Sequence, residues 1–449
     1  MINSTQTAEA RQVNVRRLRR FLVRARDLYA DKSGAVAVVA AIVFPIVVGG
    51  MGLGAETGYW YLKQRKLQHA ADVSAHAGGV RMRAGDTASG IDAAARNVAA
   101  ASGLSPSVGT MVVNTPPLSG AKAGVAGSLE VILTETHPRM FSSVFSNQPV
   151  TIRTRAVTSI VAHSKACVLA LSPAASGAIT VSGSTNVALT GCDVVSNSNA
   201  SDSFLMSGTS AALSAGCVYA VGQAVTTSQL TLTQCAAVKV QAPIVRDPYA
   251  AVSEPSAIGA CQNKNVGTPG GSTTLTPTDN QPNGVKSMRF CNGLDAKGTV
   301  TFSPGLYIIE AGSLSINGGD LNSTSVVELT GSGVTFYFSS GGYLNLGSKA
   351  GLTLSAPTSG PFSGILLFGS RTTAGATQTI SGKSGSTLQG AIYLPISNVK
   401  FTGSSSTTNG CTQVIGLTVT FSGNSSLGSS CANAGTSTIA TNETVQIVE

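Results

Sequence analysis

The apolar and polar positions fall into three textures along the chain. From Gly34 to Ala55 the sequence GAVAVVAAIVFPIVVGGMGLGA is apolar and uncharged. A helix needs roughly 20 such residues to cross about 30 Å of hydrocarbon, so the run predicts a single transmembrane helix, assigned to residues 34–58. Pro45 lies in mid-run, which a membrane helix tolerates better than a soluble one because the freed backbone group can be repacked or hydrated locally. A secretory signal has an apolar region of about 7 to 15 residues followed by a small-residue cleavage site. Here the run is longer and continues as helix, so a retained anchor is expected.

From Glu56 to Ser102 an alanine-rich stretch favours helix, with an interruption expected around Gly78 to Gly90. Residues 104–163 then alternate apolar and polar positions in VGTMVVNTPP, GSLEVILTET and NQPVTIRTRAVTSIVA, predicting three strands. HPRMFSSVFS between the second and third reads as a short helix or turn. A long helix on a small antiparallel sheet makes residues 59–165 an α+β unit.

Beyond Cys167 the pattern becomes a loose repeat of short apolar strands separated by Ser-Gly, Asn-Gly and Gly-Gly turns, about 20 residues per cycle. AITVSGSTNVALTGCDVVSNS and SFLMSGTSAALSAGCVYAVG are two examples. One such coil cannot bury its own apolar face, whereas stacked coils bury a continuous interior. Residues 166–449 are therefore expected to form a mainly-β solenoid, a right-handed parallel β-helix first and a β-sandwich with Greek-key loops second. A proline-rich insertion, residues 239–295, interrupts the repeat.

Charge favours one orientation of this scheme. Residues 1–166 carry 19 basic and 9 acidic side chains, net +10, whereas 167–449 carry 10 and 11, net −1. The overall +9 is thus no nucleic-acid footprint. Arg16, Arg17, Arg19, Arg20, Arg24, Arg26 and Lys32 precede the span, against Lys63, Arg65 and Lys66 just after it. The positive-inside rule places residues 1–33, a basic arm, in the cytoplasm. All eight cysteines, from Cys167 to Cys431, lie beyond the span, as disulfides in an exported region would require. Eight cysteines allow 105 pairings; pairing in order would join Cys167 to Cys192, Cys217 to Cys235, Cys261 to Cys291 and Cys411 to Cys431. Tyr59, Trp60 and Tyr61 form the aromatic belt expected where a helix leaves the bilayer. Gly50 and Gly54 make a GxxxG spacing, which reads either as a face that lets a second copy approach or as flexible glycine near the membrane surface.

These features resemble the N-terminal region of the TadE/TadG-like proteins of Tad (Flp) pilus assembly. The resemblance rests on SGAVAVVAAIVFPIVVGGMGLGAE, with its central proline and the acidic Glu56 just past the span, and on KLQHAADVSAHAGG with Leu67, Gln68, Ala71 and Asp72. It covers roughly residues 32–80. The CVLAL start, the DPYAAVSEP segment and PGLY from Pro304 to Tyr307 are similar to the C-terminal region of TadG-like proteins. The resemblance implies a pilin-like α+β unit, an inner-membrane, single-pass protein with a periplasmic C-terminal domain, and other Tad pilus-assembly proteins as partners. Processed pilins carry a glutamate five residues after their cleavage site; counting from Gly34 that position is Val39, so prepilin-type cleavage does not fit.

Few residues offer chemistry. His69, Asp72 and His76 share a helical face but are spread over about two turns, too far to close on one ion. The adhesion-type DxSxS metal site of some TadG-like proteins is approached only by Asp72, Ser74 and His76 and is incomplete. TISGKS, Thr379 to Ser384, ends like a phosphate-binding loop, but Thr377 stands where its first glycine must be. There is no GxSxG elbow. Asp247 and Glu254 could pair as carboxylates for glycoside cleavage, although turn capping by Asp247 is the more ordinary role. His163 near Cys167 reads as incidental. No catalytic, cofactor or metal residue is assigned and no enzyme is expected. A structural component of pilus assembly or secretion is the first reading, and a cell-envelope polysaccharide-binding or polysaccharide-cleaving protein the alternative.

Overall fold

The computed structural model describes residues 33–105, 107–316, 327–346, 350–373, 377–381, 386–402, 405–407, 410–428, 431 and 433–449. The basic arm thus lies outside the described residues but for Ser33, as do Gly382, Lys383 and Ser384 of TISGKS. Two compact units emerge, one reaching Ile160 and including Val445–Glu449, the other Val161–Thr444.

In the first unit, helix α1 (Ser33–Ala84) runs 52 residues without a break through Pro45. At about 1.5 Å per residue that is roughly 78 Å, more than twice what a bilayer core needs. Its segment from Val36 is long and apolar enough to cross a membrane, and Val36, Ile42, Phe44, Ile46 and Met51 are exposed. Gly85 ends the helix with φ of +86°, a left-handed conformation that costs glycine no Cβ clash. Thr87 then caps α2 (Ala88–Ala101), its Oγ1 accepting from the Gly90 N–H at 3.2 Å. The expected interruption therefore falls at 85–87.

Strands β1 (Gly109–Asn114), β2 (Ser128–His137) and β3 (Val150–Ala170) follow. β1 pairs with β2 antiparallel, and β2 with residues 150–159 of β3, Ser128 opposite Ser159 and His137 opposite Val150. The expected turn between them is a 3-10 helix, Phe141–Val144. Leu67, Ala70, Ala71 and Ala75 of α1 and Ile91, Ala95 and Ala99 of α2 bury against Leu129, Val131, Leu133, Ile152 and Ala156. The i, i+4 spacing puts each set on one face, and the short alanines let the helices lie close to the sheet. Val445–Glu449 closes this unit: the Val448 N–H donates to Val157 O and the Val157 N–H to Glu449 O, both at 2.8 Å.

The second unit is mostly β, a curled sheet whose strands pair with the equivalent strand of a neighbouring turn of chain. The pairing is parallel, as in Tyr307 with Phe336, Phe336 with Leu367, Ile392 with Val414 and Val168 with Val194. The antiparallel contact of Asp279–Asn280 with Lys286–Ser287 is an exception. Greek-key strands would pair antiparallel. Those offsets run from 22 to 31 residues, longer than the expected 20 because each turn carries three strand segments and the corners between them.

The order of stacking departs from the order of the chain. Residues 166–170 of β3 pair on one side with Asp193–Ser196, which pairs with Val218–Ala220. On their other side they pair with Val414–Gly416, whose strand pairs with Thr387–Phe401. Further along stand Ile365–Gly369, Val334–Ser339, Gly305–Glu310 and Lys286–Phe290. The chain thus enters its stack in the middle, coils to one end, crosses to the other, and coils back to meet its own entry. The crossing occupies part of the expected insertion. The remainder joins the stack, since Asn265–Val266 pairs with Asp295–Ala296 and Ser272–Leu275 with Thr299–Phe302.

Alternate residues of the central strands point to opposite faces. Tyr307, Ile309, Phe336, Phe338, Ile392 and Val414 enter the interior of the coil. Leu306, Ile308, Tyr337, Phe368, Tyr393 and Ile415 form a second cluster with Tyr249 of the crossing segment, Phe362 and Ile439. This sheet is buried on both faces, which explains why CVLAL, LYII and FYF read as unbroken apolar runs.

The four disulfides join Cys167 to Cys192, Cys217 to Cys235, Cys261 to Cys291 and Cys411 to Cys431. Each ties neighbouring turns of the coil across 18 to 30 residues.

Candidate functional site

Two places gather charged and polar side chains of the kind that do work in a protein. One lies along α1 where the apolar segment ends. Glu56 is 1% exposed, and its carboxylate accepts from the Met140 N–H at 2.8 Å, the Ser142 N–H at 2.6 Å and the Ser142 Oγ at 2.9 Å. A 3-10 helix begins with backbone donors that have no internal partner, and Glu56 supplies the acceptor from 84 residues away in sequence. The Phe141 ring lies over Gly52, where a Cβ would meet it at 2.5 Å. Beside it the Arg139 guanidinium sits 5.7 Å from the Trp60 ring centroid, and its Nε donates to Gln148 O.

About two turns beyond Trp60, the Gln68 amide donates to Asp72 Oδ1 at 2.7 Å and to Arg155 O at 3.0 Å, joining helix to sheet. Thr154 and Thr158 donate to Leu67 O and Ala75 O. Leu67, Gln68, Ala71 and Asp72 thus fix the helix on the sheet. Ser74 donates back to Ala70 O, while His69 and His76 are exposed. Among the described residues no group of three His, Cys, Asp or Glu side chains is placed to hold a metal.

On the far face of the sheet, Glu130 is fully buried and receives Asn114 Nδ2, Ser119 Oγ, the Leu118 N–H and Arg155 Nε, the last at 2.5 Å. Burial alone would raise its carboxyl, but these four donors outweigh it and hold it down at about 2. Arg155 also pairs with Glu449. Sequence reading passed over this node, because Glu130 sits in an alternating strand with nothing to distinguish it.

The second place is in the other unit, along the crossing segment. Asp247 does cap its own turn, Oδ1 accepting from the Tyr249 N–H at 2.9 Å, while Oδ2 accepts from Tyr393 Oη at 2.7 Å. Glu254 accepts from Tyr337 Oη at 2.7 Å and from the Arg371 N–H at 2.8 Å. The Arg371 guanidinium donates to Tyr249 O, Val252 O and Tyr393 Oη. Asn197 holds Val245 through both of its amide atoms, and Gln281 holds Ser256 in the same way. DPYAAVSEP is thereby a strap pinned over the outer apolar face, with both carboxylates engaged as hydrogen-bond acceptors. Burial pushes the Tyr249 phenol up to about 12 and those of Tyr337 and Tyr393 well above the usual range. Arg371 carries most of this arrangement, and as a lone arginine in a Ser/Gly-rich turn it has no signal in the sequence. His163 bonds Thr444 at 2.8 Å, and Cys167 is held in its disulfide.

One groove of about 560 Å³ opens on the coil, lined by Thr301, Thr330, Thr353 and Thr387 with Ser332 and Gln389 among others. The threonines are in register on successive strands, and Thr301 and Thr330 hydroxyls stand 3.1 Å apart. No carboxylate lines it, and neither Asp247 nor Glu254 does.

These features define a class: a protein with one apolar helix long enough for a membrane, an α+β unit packed along that helix, and a disulfide-bonded, mostly-β region whose buried polar groups hold structure. A family model described as putative Flp pilus-assembly TadE/G-like matches residues 34–101, which are α1 and α2. No curated protein and no solved structure matches the chain.

Proposed function

We propose that the protein is a structural, non-catalytic component of Tad/Flp-type pilus assembly or secretion machinery. The observation that carries this reading is the family match over the helical region, whose signature side chains fix helix to sheet. In this reading α1 anchors the chain in the bacterial inner membrane, the basic arm stays in the cytoplasm and residues beyond the span are periplasmic. The charge asymmetry across the span and the four disulfides, which suit an oxidising compartment, support it. The second unit is read as a right-handed parallel β-helix, a fold that presents long flanks to partners; the parallel registers at offsets of 22 to 31 residues support that. Partners are other pilus-assembly proteins. The face bearing Gly50 and Gly54 is open, a Cβ at either meeting nothing within 4 Å, and suits another helix or a second copy.

The test is deletion of the gene in its host, surface pili being counted by electron microscopy and rescue attempted with the full chain or with residues 1–165. Lost pili restored only by the full chain are expected. Normal pili in the deletion strain would overturn the reading and direct attention to glycan binding along the threonine-lined groove.

A further inference from the structure

The 3-10 turn beside α1 exposes an unusual set of side chains. Met140, Phe141, Val144 and Phe145 are 47%, 52%, 85% and 78% exposed, four apolar residues within six positions. Such a patch on a water-facing turn is a liability. Its place on the helix gives it a use. Gly52 and Glu56, the two positions it touches, precede the aromatic belt of Tyr59 to Tyr61. At about 1.5 Å per residue, Gly52 lies roughly 10 Å to the apolar side of Tyr59. The exposed residues of the turn therefore continue the exposed apolar surface of α1 that includes Val47, Val48 and Met51.

The backbone fits the same setting. Peptide N–H groups in hydrocarbon must be satisfied by the protein itself, and five from Met140 to Ser146 have such partners here. Met140 and Ser142 donate to the Glu56 carboxylate, Ser143 to Met140 O, and Phe145 and Ser146 to Ser142 O. Arg139, at the base of the turn, has its guanidinium bound to Gln148 O and Ser142 Oγ and stacked over Trp60, a position suited to the headgroup layer.

We propose that residues 140–145 form a second membrane contact, a wedge seated in the acyl-chain boundary of the same bilayer that α1 crosses. This rests on the reading of α1 as a span. With the helix it makes a two-point attachment that fixes the α+β unit in rotation about the helix axis, which one helix alone leaves free.

The experiment uses the full chain in nanodiscs made with brominated or ordinary phosphatidylcholine. Trp60 is the sole tryptophan, and Trp60→Phe removes no hydrogen bond because its buried Nε1 has no acceptor. In that background Phe145→Trp and, independently, Val144→Trp report on the turn, and Met51→Trp reports on the helix. The expected result is strong quenching by bromolipid and weak quenching by aqueous iodide at 145, 144 and 51 alike. Lipid quenching at 51 with iodide quenching at 144 and 145 would overturn the wedge and leave the span intact. Shielding of 144 and 145 from both quenchers would mean that protein covers the turn, which also overturns it. Absence of lipid quenching at 51 would remove the span and the wedge together.

Discussion

At the scale of single residues, buried polar groups here act as fasteners, and their loss is costly because each leaves a desolvated partner behind. Glu56→Ala strands the Met140 and Ser142 N–H groups and is expected to destabilise the first unit, read as a lower unfolding midpoint in detergent; Glu56→Gln, which still offers one acceptor oxygen, should cost less. Arg371→Ala removes donors to Tyr249 O, Val252 O and Tyr393 Oη. The expected outcome is protease cleavage within 247–256 at enzyme levels that leave the parent chain intact. Equal resistance would show that Asn197 and Gln281 hold the strap unaided.

At the scale of elements, close approach decides what each helix and turn can accept. A Cβ at Gly79 would meet Val445 Cγ1 at 2.7 Å and Thr158 Oγ1 at 2.9 Å. Alanine normally favours a helix over glycine by about 1 kcal/mol, yet here that gain is opposed by the clash. Gly79→Leu, which adds bulk to a filled site, is expected to cost about 1–3 kcal/mol, measured by chemical unfolding. Gly85 is different, since its φ of +86° penalises any side chain whatever the space. Among the disulfides, Cys217–Cys235 closes a loop of 18 residues. Its replacement by serines should remove about 3 kcal/mol on the chain-entropy model, seen as earlier unfolding of the second unit alone.

At the scale of the whole molecule, the two units respond to pH in opposite directions. Glu130 is held at about 2 in the folded state, against 4.5 for a free glutamate. Its contribution is complete above 4.5 and lost as pH falls toward 2, so the first unit should lose stability in that window. The phenols of Tyr249, Tyr307, Tyr337 and Tyr393 are raised by burial above the usual 10. Folding therefore favours their protonated forms, and the second unit should lose stability as pH rises above 10. Unfolding scans from pH 2 to 11, followed by near-UV circular dichroism and by phenolate absorbance, check both arms. Stacking order makes a further prediction: because Val168 and Ile179 pair with Val414 and Val419, truncation after residue 386 should expose the edge of the first turn and yield aggregated protein on size exclusion.

Much of this architecture was legible in the chain because it depends on local pattern. A long uncharged run, an i, i+4 set of alanines, three alternating segments and recurrent short apolar strands each specify an element through the period of burial, and cysteine spacing suggested the pairs that the structure joins. Long-range partners carry no such mark. Glu56 looked like a residue at a membrane edge, and only the fold brings the turn at 140–145 under its carboxylate. Asp247 and Glu254 read as ordinary turn residues with a paired-carboxylate site as the lesser alternative, and only packing placed Tyr393, Tyr337 and Arg371 against them. Above all, a repeat pattern specifies that turns stack but not in which order, since every turn offers its neighbour the same apolar edge. The entry of the chain at the middle of its stack, and the strap that carries it across, were settled by tertiary structure, where the apolar outer face of the central sheet required a cover.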